Sequence, residues 1–337
     1  MSVYLRADCF PEIVTLYICI RSIGFNIKRI IMRNLRKLAL LVLTVIAADV
    51  ISAQEMSIMT SDSVKLYINI KGNGAPCLFI HGGPGQGSYS WEKLGGEIGE
   101  THFKMIYLDQ RGCGRSSSPS DQNYDISRMA MDFEEVRKAL DIDEWFVMGH
   151  SFGGILQTYY AANHPDKIKG LLMYNCTLDI YESLEDSYIP TVIDFFDVRD
   201  TSVLANRAIP LATRLDSVQK LFQTRDDVWK LSFTTIEAAI MFEETYEGFE
   251  TWNTDFSRAV FKVDDYKRDY SELSPSIEIP TLFVNSTNDK NVGANHYKKV
   301  KFPNMLLFQT DGGHLEFIND KSDYLKATEM YLTKFGF

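Results

Sequence analysis

The chain has 337 residues, 45% of them hydrophobic, with no repeat and no low-complexity tract, which suits one large α/β domain with room for an inserted subdomain. Its formal net charge of -10 argues against nucleic acid as a partner. The five cysteines, at 9, 19, 77, 113 and 176, form no C-x-x-C pair and so indicate neither a disulfide scaffold nor a zinc site.

The N-terminus divides in two. Met32-Arg33-Asn34-Leu35-Arg36-Lys37 is basic, Leu38 to Ala48 is apolar, and Ile51-Ser52-Ala53 ends in a small residue. That order matches a secretory signal with its cleavage site, and the apolar run is short for a stable membrane span. We expect residues 1–31 to be an over-extended start and 32–53 a signal peptide. A two-part membrane anchor over 11–31 and 38–51 is less attractive because Arg21, Lys28 and Arg29 interrupt it. Signal cleavage would leave an exported protein, periplasmic or secreted, without a stable membrane anchor; without the signal it would be cytoplasmic.

From residue 54 the pattern becomes strand-like. Residues 56–70 read as two strands with a turn at Ser61-Asp62, the second alternating through Val64, Leu66, Ile68 and Ile70. Pro76 to Ile80 is a continuous apolar run, as in a central strand covered on both faces. It ends in His81-Gly82-Gly83-Pro84-Gly85. Phe103 to Leu108 predicts another strand, and Asp109 and Arg111 in the loop after it read as scaffolding. The spacing of Met129, Phe133, Val136 and Leu140 predicts an amphipathic helix over 126–140.

Trp145 to Gly154 reads W-F-V-M-G-H-S-F-G-G. A buried strand, a G-x-S-x-G turn and a helical pattern from Ile155 to Ala162 make the context of a nucleophile elbow, with Ser151 raised above the sheet edge. A further strand runs from Ile168 to Tyr174. Residues 179–275 then show helices without clear strands, which predicts an inserted helical cap between core segments 54–178 and 276–337. Aromatic residues such as Phe195, Phe222, Trp229, Tyr246 and Trp252 read mostly as its core, with a few lining a pocket. Strands return at 279–285 and 305–308, and a helix over 322–334 ends the chain.

A serine hydroxyl needs a base, and the base needs a carboxylate to hold its tautomer. On this kind of sheet the chain order is serine, acid, histidine. Ser151, Asp289 and His314 satisfy it, each in a loop after a predicted strand, with Asp311 as the alternative acid. Acyl transfer also needs backbone N–H groups aimed at the developing oxyanion. Phe152, directly after the nucleophile, and Gly83, in the glycine-rich loop, are the candidates. A serine relay of this kind needs no cofactor and no metal.

H-G-G-P-G at 81–85, D-Q-R-G-C-G-R-S at 109–116 and G-H-S-F-G-G at 149–154 together resemble the prolyl iminopeptidase family of α/β-hydrolases. The resemblance covers about 56–177 and 279–337. It implies the α/β-hydrolase fold, a mostly parallel central sheet with an inserted helical cap. It also implies a serine aminopeptidase that releases N-terminal proline from short peptides, with Ser151, Asp289 and His314 catalytic and Gly83 and Phe152 as oxyanion donors. The best-known proline-specific members carry tryptophan where Phe152 stands. The family reads the free amine with cap glutamates, and Phe242-Glu243-Glu244-Thr245-Tyr246 weakly resembles its E-x-x-Y motif, making Glu243 the amine-binding candidate. Two readings stay open. One is an aminopeptidase for proline or small apolar residues; the other is an esterase or amidase for small molecules. A non-enzymatic binding protein is disfavoured because no triad member is missing.

Overall fold

The computed structural model describes residues 54–337; the expected over-extended start (1–31) and signal peptide (32–53) lie outside the described residues. Eight strands form one sheet: β1 (Gln54–Met59), β2 (Lys65–Lys71), β3 (Ala75–Ile80), β4 (Phe103–Leu108), β5 (Trp145–His150), β6 (Ile168–Tyr174), β7 (Thr281–Ser286) and β8 (Met305–Thr310). Their order is β1-β2-β4-β3-β5-β6-β7-β8. β1 and β2 pair antiparallel, β2 meets β4 antiparallel, and every later pairing is parallel. This is the mostly parallel α/β sheet that the strand pattern predicts.

Burial explains the sequence pattern. β5 and β7 are buried at every position, because helices cover both faces of a parallel sheet and leave no polar side. β2 alternates more, as an antiparallel strand near an edge does. On one face pack α2 (Ile126–Ala139), through Met129, Phe133 and Val136, and α3 (Gly153–Asn163). On the other lie α1 (Tyr89–Leu94), which contributes Trp91, and the C-terminal helix Ser322–Phe335, which contributes Tyr324, Ala327 and Tyr331.

The topology selects the place for a site. The chain leaves β3 for β4 on one side, then returns to build β5 on the other. At such a switch point the loops beyond the strand ends diverge and open a crevice. Ile80 at the end of β3 is in register with Gly149 of β5, so the H-G-G-P-G loop and the Ser151 turn emerge side by side. Gly153 permits this closeness: a Cβ there would stand 2.3 Å from the carbonyl oxygen of Ile80.

Among the described residues no strand lies between β6 and β7. That stretch holds α4 (Ile189–Phe196), α5 (Leu211–Phe222) and α6 (Ile236–Glu244) among shorter turns. Ile189, Val192, Leu204, Leu211, Val218 and Leu231 form a small apolar cluster of their own. Further along, Phe256, Val260, Tyr266 and Tyr270 pack instead into the main core beside Phe152 and Tyr124. The helical stretch therefore carries a small apolar cluster of its own, and its C-terminal part is anchored in the main core. Among the described residues no helix is long and apolar enough to cross a membrane.

Candidate active site

Ser151 occupies the turn between β5 and α3 with φ of 56°, a left-handed conformation uncommon for a residue with a Cβ and a mark of stored strain. Three hydrogen bonds hold it there. The Ser151 amide donates to the Tyr174 carbonyl at 3.3 Å, while the amides of Gly154 and Thr177 donate to the Ser151 carbonyl, both at 3.0 Å. β6 and α3 together thus fix the strained residue, and its side chain stands at the N-terminus of an 11-residue helix, where the dipole favours negative charge.

His314 Nε2 lies 3.0 Å from Ser151 Oγ, and His314 Nδ1 lies 2.8 Å from Asp289 Oδ2. A carboxylate only accepts, so the Nδ1 proton points to Asp289 and Nε2 is left to accept from the serine hydroxyl. Asp289 is itself held: its Oδ1 accepts the amides of Asn291 at 2.8 Å and Val292 at 2.9 Å. Burial alone would raise its carboxyl, but His314 and those two amides outweigh burial and hold it below the ordinary carboxylate range. Asp311, the alternative acid, is exposed and meets Asn288 through its backbone carbonyl. The structure thus brings Ser151, His314 and Asp289 into one hydrogen-bonded line.

Gly83 and Phe152 both border the cleft beside Ser151. Among the described residues, neither backbone N–H is spent on a carbonyl of the surrounding turns and loops. The loop of Gly83 is braced from below. His81 Nε2 accepts the Gln110 amide at 3.1 Å and the Gln110 side chain donates to the His81 carbonyl at 3.0 Å. Asp109 accepts from the Ser88 amide at 2.7 Å and from Arg115 Nε at 2.7 Å. Arg111 is buried against Asp132 and Asp62. These contacts agree with the reading of Asp109 and Arg111 as scaffold.

Two side chains that sequence reasoning passed over hold His314 from behind. His150 Nε2 donates to the His314 carbonyl at 3.2 Å. Asn175 Nδ2 donates to the same carbonyl at 3.1 Å and to the Gly313 carbonyl at 3.2 Å. Burial, reinforced by the neighbouring His314, drops the His150 pKa to about 3, so His150 stays neutral and adds no charge behind the imidazole. No periodicity marks these residues; their position at the ends of β5 and just after β6 is the one available signal.

The cleft in front of Ser151 holds about 250 Å³. Its walls include Phe152, Ile180, Leu184, Tyr188, Leu215 and Phe261, and no acidic side chain is among its lining residues. Burial pushes the Tyr188 hydroxyl up to about 12, which keeps it a neutral donor. Glu243 is exposed, in the last turn of α6, and does not line the cleft. Tyr246 of the same motif is half-buried, edge-on to Trp252 at 5.1 Å between ring centres.

Residues 76–321 match the family described as alpha/beta hydrolase fold. The chain belongs to that family. This α/β-hydrolase is 35% identical over 122 residues to a proline iminopeptidase of Neisseria gonorrhoeae, a match that takes in 34% of this chain and 38% of the relative's length. A proline iminopeptidase of Saccharolobus solfataricus is 24% identical over 300 residues, covering 80% of this chain and 87% of the relative. Among solved structures, a proline iminopeptidase-related protein of Thermus thermophilus superposes with a TM-score of 0.67 at 16% identity, over 83% of this chain and 97% of that one. At that identity the likeness speaks for the fold.

Proposed function

We propose that this α/β-hydrolase is a serine aminopeptidase that releases N-terminal proline or a small apolar residue from short peptides. The observation that carries the reading is the line from Asp289 through His314 to Ser151, at 2.8 and 3.0 Å, opening on an apolar cleft of about 250 Å³. Similarity to proline iminopeptidases supports the substrate class. Ser151 Oγ attacks the scissile carbonyl carbon as its proton passes to His314 Nε2. The carbonyl oxygen becomes an oxyanion facing the amides of Gly83 and Phe152. The C–N bond then breaks, the His314 proton goes to the departing amine, and an ester to Ser151 remains. Water, deprotonated by His314, hydrolyses that ester and restores the serine. The basic and apolar segments of 32–53 support export of the protein to the periplasm or the medium.

A second reading, hydrolysis of small esters or amides with neutral acyl groups, is favoured by one observation: no carboxylate lines the cleft. A buried ammonium without a carboxylate partner is costly. The deciding experiment measures turnover of Pro-, Ala- and Leu-naphthylamides against their N-acetylated forms and a short-chain acyl ester. Ser151→Ala serves as control and is expected to cut kcat by about 10³-fold or more. Cleavage restricted to free-amine substrates supports the aminopeptidase. Equal or better turnover of blocked amides or the ester replaces it with the second reading.

A further inference from the structure

A second cavity, of about 350 Å³, shares His314 with the catalytic cleft but none of the groups around the acyl carbon, Ser151, Gly83 and Phe152. The segment Trp229–Thr234 forms one side, and Asn288, Lys290 and Gly313 contribute to the other. A side-chain hydrogen bond ties the walls of the two spaces together: Asn291, on the cleft, donates through Nδ2 to Ser232 Oγ, on the second cavity, at 3.2 Å. Asn291 Oδ1 is buried there without a hydrogen-bond partner.

The charges of this cavity have one sign. Lys230 and Lys290 are its charged lining residues, and no carboxylate is among them. Lys230 is engaged by Asp227 at 3.0 Å. The Lys290 ammonium donates to the Lys230 carbonyl at 3.3 Å and, among the described residues, meets no carboxylate. An ammonium held against a carbonyl at the rim of a cavity keeps donors free for an anion.

Chemistry assigns the space a place in the reaction. His314 delivers its proton to the group that departs, so the leaving group lies against His314 and away from the acyl pocket. The cavity that contains His314 without Ser151 meets that condition. We propose that it is the leaving-group subsite, and that Lys290 receives a carboxylate carried by the leaving group. The substrates it favours are short peptides whose free C-terminal carboxylate lies close to the scissile bond. The inference rests on the reading of Ser151 and His314 as the reacting pair, but not on the identity of the acyl group.

Two matched substrate pairs test it with the full chain. The first pair is phenyl acetate and 4-acetoxybenzoate, each rate divided by that of uncatalysed hydrolysis. The second is prolyl or alanyl dipeptides as free acids against their C-terminal amides. In the wild type, kcat/KM should favour the carboxylate-bearing member by about two- to fivefold, chiefly through KM, as one exposed ion pair permits. The preference should shrink as salt rises, disappear in Lys290→Gln and persist in Lys290→Arg. No preference in the wild type, or a ratio that Lys290→Gln leaves unchanged, overturns the subsite. If only the esters turn over, the aminopeptidase reading falls while the ester pair still decides the subsite. If nothing turns over, the catalytic reading fails and the subsite with it.

Discussion

Asn175 Nδ2 donates to the backbone carbonyl of His314 at 3.1 Å, joining the end of β6 to the loop that carries the imidazole. The same side chain accepts the Ser286 amide through Oδ1 at 3.0 Å, and the Asn175 backbone N–H donates to the Val284 carbonyl at 2.9 Å. Asn175 therefore spans β6, β7 and the histidine loop, with φ of 46°, a region in which asparagine is tolerated better than most residues. It is a positioning residue, since it touches no reacting atom.

Asn175→Ala is expected to lower kcat by about 10- to 100-fold with little change in KM, because small displacements of a catalytic base are costly. It also leaves buried carbonyls short of a donor, at a cost of about 1–3 kcal/mol. The discriminating measurement is kcat beside Tm in the same variant. A lower Tm with kcat intact would mean that Asn175 braces the fold without positioning His314.

Two glycines near the same turn constrain it in different ways. A Cβ on Gly82 would stand 2.7 Å from Ser151 Cβ, whereas one on Gly153 would stand 2.3 Å from the Ile80 carbonyl oxygen. Gly82→Ala pushes on the nucleophile and should mainly reduce kcat, by about tenfold or more. Gly153→Ala forces the helix away from the strand and should mainly reduce stability, by about 1–3 kcal/mol. Activity and thermal melts of both variants check this; equal losses on both axes for both would refute the distinction.

Much of this arrangement could be read from residue order. The runs 103–108 and 168–174, apolar but for Lys104 and Lys169 at their second positions, coincide with β4 and β6, since strands buried over the rest of their length leave few polar positions to blur their ends. The elbow motif and the last glycine-flanked histidine likewise mark the two loops that the sheet brings together. The rest was hidden for physical reasons. Asn175 is one polar residue after a strand, and only the pairing of β6 with β7 gives it partners. The cleft wall at Leu184, Tyr188 and Phe261 depends on how separate helical turns pack, which no local periodicity encodes. The aromatics that stand out by composition mostly pack elsewhere: Phe195 meets Phe196 and Phe196 meets Phe222. α6 shows the same limit, because its packing face runs through Ala238 and Phe242 and leaves Glu243 outside.

The acid stability of the domain should depend on Glu134. Arg137 Nε donates to its Oε1 at 2.9 Å, Arg137 Nη2 to its Oε2 at 2.6 Å, and the Tyr160 hydroxyl to Oε1 at 2.7 Å. Burial alone would raise this carboxyl, yet the Arg137 and Tyr160 hydrogen bonds bring it to about 2, below its ordinary 4.5. A group depressed in the folded state stabilises the protein above its unfolded value and loses that contribution as pH falls through the folded one. The loss should therefore fall between about pH 4.5 and pH 2. Glu134→Gln should lower Tm at pH 7 and flatten the decline of Tm across that window. Parallel Tm curves for the two proteins would remove Glu134 from the account.

A free amine in the cleft would meet no acidic side chain among its lining residues. Glu243 is the carboxylate that the family resemblance offers, but it is exposed on α6 and absent from the cleft wall. A carboxylate in water, away from the cleft, contributes little to an ammonium inside it, because solvent screens the pair. Glu243→Ala is therefore expected to leave kcat/KM for prolyl- and alanyl-naphthylamide within about twofold. Acyl preference should follow the apolar wall instead. Tyr188→Ala and Phe261→Ala enlarge the cleft and should shift the preferred acyl group toward bulkier side chains by about tenfold, the scale of a methylene or two in an apolar pocket. The measurement is kcat/KM for Pro-, Ala- and Leu-naphthylamides with each variant. A loss of tenfold or more in Glu243→Ala, confined to free-amine substrates, would require α6 to close over the cleft when substrate binds and would restore Glu243 to the site.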